Sequence, residues 1–230
     1  MRLVAQKTRL PVTPVDDESS SEGVFRRHGT LFPTTIRCII CGPSNAGKTN
    51  LMIRLLEDPN GLRFENVYVY SRSLHQPKYQ RLARVLQRVK GVGYFPYRDS
   101  EGIVATKDAK KNSVFIFDDI ACDKQDVMRE YFCMGRHNNI DAFYLCQSYA
   151  RIPKQLVRDN TNLLAIFKQD ATNLRHIYDD HVIADCSFQE FLDMANLAWG
   201  DKYSFLAIDK DSPRDDGRYR KNFDMFIKRN

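Results

Sequence analysis

The chain has 230 residues, 43 % of them hydrophobic, and 35 basic against 29 acidic side chains leave a net charge of +6. That length fits one ordinary domain with a tail, and the apolar content suffices for a core. No apolar run approaches the ~20 residues of a membrane-spanning helix, and the opening Met1–Lys7 lacks the apolar stretch of a secretory signal. An intracellular protein is therefore expected. The modest positive excess favours a polyanionic partner without requiring one.

Residues 1–31 read as a flexible N-terminal arm, with Pro11, Pro14 and the polar run from Asp16 to Gly23. The ordered domain is expected over 32–209, and 210–230 as a basic hairpin or tail of the same domain. Its first strand is the apolar run Ile36–Cys41, and a helix is expected over Asn50–Leu56. Between them stands Gly42-Pro43-Ser44-Asn45-Ala46-Gly47-Lys48-Thr49. Gly, four residues, then Gly-Lys-Thr between a strand and a helix is the phosphate-binding loop pattern. The glycines let the backbone curl so that its N–H groups face phosphate oxygens, and the helix start adds partial positive charge. In that pattern Lys48 reaches the β- and γ-phosphates and the Thr49 hydroxyl ligates Mg²⁺.

Asn66–Tyr70 follows as a second strand, and Pro77–Arg88 as a helix that Gly91 ends. The next strand, Ser113–Phe117, closes in Asp118-Asp119, and a helix from about Lys124 to Met134 stops at Gly135. Ala142–Cys146 and Asn162–Phe167 read as further strands, with Gln147-Ser148 after the first of them. Helical segments occupy 172–181 and 188–198. Tyr203–Ile208 is a last strand, and Tyr219–Ile227 is expected to return as a hairpin. Short, almost wholly apolar strands alternating with helices indicate a doubly wound, mostly parallel α/β sheet covered on both faces.

Six cysteines are present, and Cys38-x-x-Cys41 has the form of half a zinc site. No second Cys/His pair follows at metal spacing, so buried reduced thiols are expected instead.

Nucleotide hydrolysis needs a carboxylate that holds Mg²⁺ and a polar group that orients the attacking water. Asp118, ending an apolar strand, stands where the first belongs. Burying a carboxylate is costly unless it is paired or near a metal, although Asp118 and Asp119 also suit a helix cap. Asp119 falls where a water-activating base would lie. Gln147 leaves its strand at the same sheet rim as the loop and suits a contact to the γ-phosphate or the lytic water. Arg136, Arg151 and Arg158 are arginines placed to reach a neighbouring subunit's site, with Arg136 and Arg158 the two candidates. Basic and aromatic residues also gather at Arg72–Lys90, and Arg214, Arg218, Arg220 and Lys221 follow in the tail. Such faces track a phosphate backbone or simply solvate a helix.

The ordered set Gly42–Thr49, Asp118-Asp119, Gly135-Arg136-His137-Asn138-Asn139, Tyr144-Leu145-Cys146-Gln147-Ser148, Ile152-Pro153 and Arg158-Asp159-Asn160 resembles the poxvirus-type DNA-packaging ATPases of the FtsK–HerA superfamily. The likeness runs from about Phe32 to Asp209. It implies a P-loop NTPase with added strands between the loop strand and the Asp-Asp strand. It further implies ATP hydrolysis with Mg²⁺, coupled to moving double-stranded DNA into a preformed capsid. The motor would be a homo-oligomeric ring, a pentamer or hexamer, engaging a capsid or portal-vertex component in the host cytoplasm or nucleus. The wider superfamily often has Glu where this chain has Asp119. Three alternatives stand beside it: a guanylate-kinase-like nucleotide kinase, which shares the loop, a non-catalytic module that retains nucleotide binding, and a helicase or conjugation-type DNA pump.

Overall fold

The computed structural model describes residues 27–98, 103–118, 126–152 and 154–228. Strands β1 (Arg37–Cys41), β2 (Asn66–Ser71), β3 (Gly93–Tyr97), β4 (Ser113–Asp118), β5 (Ile140–Cys146), β6 (Leu163–Ile166), β7 (Leu206–Asp209), β8 (Tyr219–Lys221) and β9 (Met225–Phe226) form one sheet. Their order is β3-β2-β4-β5-β1-β6-β7-β8-β9. The first six are parallel, and β7 to β9 add on antiparallel. The closing hairpin expected from the sequence is β8 and β9. One strand, β5, lies between the loop strand β1 and the Asp118 strand β4.

Helices α1 (Lys48–Glu57) and α2 (Pro77–Leu86) cover one face, and α3 (Asp126–Met134), α4 (Ala171–Ile177) and α5 (Phe188–Ala198) the other. Successive strand residues point to opposite faces, so Cys38 and Ile40 pack with Met52, Ile53 and Leu82. Ile39 and Cys41 pack with Met128, Tyr131, Ile177 and Phe191. The same alternation sends Cys38 and Cys41 into different cores, which removes any shared metal site. A one-residue slip of β1 would exchange the two sets.

The β2–β4 half of the sheet is held by stacked rings. Tyr68 lies 4.2 Å from Phe115, and Phe115 lies 4.1 Å from Tyr131. Truncating a ring such as Phe115 costs about 3–5 kcal/mol.

Three features depart from the sequence reading. First, β3 was not expected, because Pro96 within Gly93–Tyr97 argues against a strand; as a sheet edge, β3 tolerates the missing donor. Second, packed structure starts before Phe32: the His28 side chain is buried against Asp141 at 3.1 Å, and Arg27 pairs with the same carboxylate at 3.1 Å. Third, two of the tail arginines, Arg218 and Arg220, turn inward. Arg220 binds Asp209 at 2.8 Å and Arg218 binds Asp185 at 2.9 Å. Both ion pairs fix the β7–β8 end, which leaves these two side chains out of any outward basic face.

Candidate nucleotide site

The loop at the C-terminal end of β1 is tightly specified. Its Gly42 N–H donates to Cys146 O at 3.1 Å, Ala46 N–H to Pro43 O at 3.2 Å, and Leu51 N–H to Gly47 O at 2.8 Å. A β-carbon on Gly42 would come within 2.7 Å of Phe167 Cβ, and Gly47 has φ +112°. Both positions therefore require glycine. Helix α1 starts at Gly47 without a side-chain cap and without an acidic residue in its first turn. By contrast, Asp170 caps α4 and Ser187, with Glu190, caps α5. An uncapped helix start leaves N–H donors and positive dipole for an anion. Lys48 Nζ lies back along the loop, donating to Gly42 O at 2.6 Å and Pro43 O at 2.9 Å.

In front of the loop is a cleft of ≈ 300 Å³, bordered by Lys48, Thr49, Asp118, Gln147 and Arg151 among others. At its base the Thr49 hydroxyl donates to Asp118 Oδ2 at 3.2 Å. The buried Tyr79 hydroxyl donates to the same oxygen. Burial, and then the Asp118 charge, hold the Tyr79 hydroxyl well above its ordinary pKa, so it stays a donor. Ser71 sits opposite Asp118 in the β2–β4 register. A hydroxyl and a carboxylate meeting here are hard oxygen donors of the kind Mg²⁺ takes. Among the described residues no group of three or more His, Cys, Asp or Glu is placed to hold a metal. An ion at Thr49 and Asp118 would therefore fill its shell with nucleotide oxygens and water, which is the usual habit of Mg²⁺.

Residues 23–224 match the poxvirus A32 protein family. The chain belongs to that family. Comparison with curated protein sequences gives no match. Among solved structures, the genome-packaging NTPase B204 of Sulfolobus turreted icosahedral virus 2, in complex with AMP, is similar at TM-score 0.53 and 12 % identity, covering 76 % of this chain and 93 % of that one. The same protein with AMPPCP gives TM-score 0.52 at 13 % identity, covering 76 % and 93 %. B204, the DNA-packaging ATPase from Sulfolobus turreted icosahedral virus, gives TM-score 0.52 at 18 % identity, covering 75 % and 91 %. At such identities the likeness carries the fold, an α/β P-loop NTPase.

In this A32-family chain the fold gathers Gly42–Thr49, Asp118 and Gln147 at one rim, and Gln147 is exposed to the cleft. Asp119 lies outside the described residues. Arg136 falls in the 3₁₀ turn Gly135–Asn138, just before β5 and so at the rim opposite the loop; its side chain lies outside the described set. Arg158 is committed elsewhere. Its side chain, 12 % exposed, binds Asp180 at 2.6 Å and lies over the Tyr149 ring at 5.1 Å. Among the described residues, the arginine that borders the cleft is Arg151.

Lys78 and Tyr79, which the sequence places in the basic and aromatic run Arg72–Lys90, turn to this site instead, and Ser73 joins them without a sequence signal. Pro77 at the start of a helix marks where α2 begins, but only the pairing of β2 with β4 turns that helix start toward Asp118.

Behind the cleft, Tyr149 donates to Asp180 Oδ2 at 3.0 Å and contacts His181 Nε2 at 2.7 Å. One hydroxyl hydrogen serves Asp180, so the network assigns the hydrogen of the second contact to His181 Nε2. Nδ1 then faces Lys210 Nζ at 3.3 Å. Burial, and then the Lys210 charge, lower the His181 pKa to about 3, so the ring is neutral.

Proposed function

We propose that this chain is the ATP-hydrolysing motor that moves a double-stranded genome, viral or of a virus-like element, into a preformed capsid. One observation carries the reading. Thr49 and Asp118 meet beneath a phosphate loop in a poxvirus A32 family chain, and its structural neighbours include genome-packaging NTPases.

In this reading residues 32–209 form the ATPase unit, extended by 210–230, and Arg27 and His28 anchor the segment before it to Asp141. The N–H groups of the loop from Gly42 to Thr49 cradle the phosphates, and Lys48 turns from Gly42 O and Pro43 O to the β- and γ-oxygens. Thr49 and Asp118 are the residues that would hold Mg²⁺, the hydroxyl directly and the carboxylate through water, and the ion would supply neutralisation of phosphate charge there. Tyr79 holds the Asp118 carboxylate in the orientation that the ion needs. Asp119 serves as base, and Gln147 orients the lytic water.

Arg151 meets the γ-phosphate from within the subunit, since Arg158 is occupied by Asp180. Arg136 keeps the proposed role of a finger in a neighbour's site, which mixtures of wild type with Arg136→Ala test. The working form is a pentameric or hexameric ring around duplex DNA, docked on a capsid or portal-vertex component in the host cytoplasm or nucleus.

Release of a triplex-forming third strand from duplex DNA tests this function. ATP is expected to drive release by the wild type and not by Lys48→Ala. Separation of the duplex itself would mean a helicase instead. Formation of GDP from GMP and ATP would mean a nucleotide kinase.

A further inference from the structure

A second cleft, of ≈ 390 Å³, opens on the other side of the phosphate loop. Ser44 and Asn45 border both clefts, so the two adjoin at the loop. Its remaining walls come from the end of β6 and the approach to β7, with Phe167, Trp199 and Tyr203. Two of these rings are fixed from behind. The Trp199 indole N–H donates to Ile166 O at 2.8 Å, and Phe167 packs on Phe205 at 5.3 Å.

Tyr203 differs from both. It is 58 % exposed although it is a large aromatic. Its φ is +69°, and the other four non-glycine residues with positive φ among those described are all Asn. Asn tolerates that conformation, whereas a tyrosine is strained in it. The strain presents the ring beside the loop: a β-carbon on Gly47 would lie 3.6 Å from Tyr203 Cδ1. Lys202 Nζ lies 4.9 Å from the ring centroid, adding a cation to the same wall.

We propose that this second cleft binds the nucleoside of the nucleotide, with a purine base stacked on Tyr203. The inference rests on reading the loop as an ATP site. With the γ-phosphate at Thr49, Asp118 and Gln147, the triphosphate crosses the loop and its nucleoside emerges on the opposite side. There it meets a cleft of ligand size walled in part by Phe167, Trp199 and Tyr203, with the Tyr203 ring exposed. Stacking on such a ring rewards a large π-surface and reads no base edge. Adenine and guanine therefore both suit it, and a pyrimidine suits it less.

Titration calorimetry of the full chain, with Mg²⁺ present, tests this by comparing ATP, CTP and inorganic tripolyphosphate. Wild type is expected to bind ATP more tightly than CTP, and CTP more tightly than tripolyphosphate. Tyr203→Asn supplies a residue suited to positive φ. It is expected to weaken ATP about ten-fold, to leave tripolyphosphate unchanged and to erase the preference for ATP over CTP. Tyr203→Phe is expected to bind ATP like wild type.

Tripolyphosphate binding as tightly as ATP in wild type overturns the proposal without any variant. So does an equal loss of ATP and tripolyphosphate, or no loss of either, in a Tyr203→Asn protein that melts like wild type. If folded wild type binds neither ATP nor tripolyphosphate, the loop reading itself fails, and the base site with it.

Discussion

Two carboxylates sit at opposite rims of the same sheet, and they are held in opposite ways. Asp141, at the start of β5, is wholly buried. Arg27 and His28 each approach it at 3.1 Å, and the Ile36 N–H donates to it at 2.8 Å. Asp118, at the end of β4, faces the phosphate cleft and accepts hydroxyls from Thr49 and Tyr79. Asp141 is held by side chains from the N-terminal segment, whereas Asp118 is oriented by hydroxyls at the edge of a cleft. Asp141 is therefore a structural clamp on that segment, and Asp118 carries the proposed role of cation anchor. A buried acid at a strand end is informative only once its partners are known.

Loss of each carboxylate in turn gives the largest expected effects. Asp118→Ala, like Lys48→Ala, should cut ATP turnover about a thousand-fold, the several kcal/mol expected of a metal anchor, while urea unfolding stays near wild type. Asp141→Ala should instead lose about 3–5 kcal/mol in urea unfolding, because Arg27 is left buried without its anion. Turnover per folded molecule should be retained. If Asp118→Ala instead costs stability and spares turnover, the two assignments are reversed.

A smaller effect separates the clamp from the other internal network. His181 has its pKa lowered from 6.5 to about 3. The unfolded chain takes up a proton below pH 6.5 that the native ring refuses until about pH 3. The stability is thus fully present above pH 6.5 and falls with acidification through that window. At pH 5 the loss should be about 2 kcal/mol, seen as a lower urea midpoint. His181→Gln should flatten that pH dependence.

The smallest effect sharpens the Asp118 side. Tyr79→Phe removes one hydroxyl from the carboxylate. The Mg²⁺ concentration at the midpoint of the magnesium-dependent rise in melting temperature with bound ADP should increase about five-fold, the worth of one hydrogen bond. A purely structural Tyr79 would lower the melting temperature alike with and without Mg²⁺ and leave that midpoint in place.

What the sequence showed of this site follows from distance along the chain. The loop is legible because every group that makes it lies within eight consecutive positions, from Gly42 to Thr49. Asp118 and Gln147 are legible because each ends a run of apolar residues. Tyr79 is not, since it meets Asp118 across 39 positions through the pairing of β2 with β4. The inward turn of Arg158 toward Asp180 was hidden for the same reason, as was the clamp joining Arg27 and His28 to Asp141. In the fold, the α/β layering was readable from wholly apolar strands. The edge strand β3 was not, because Pro96 forbids a strand everywhere except at an edge.

The central claim, that ATP hydrolysis here serves movement of duplex DNA, is tested most directly by phosphate release from ATP with and without double-stranded DNA. Turnover by the full chain should be low alone, rise when duplex is added, and vanish in Asp118→Ala under both conditions. Turnover indifferent to duplex DNA in a protein that stays monomeric with nucleotide bound would contradict it.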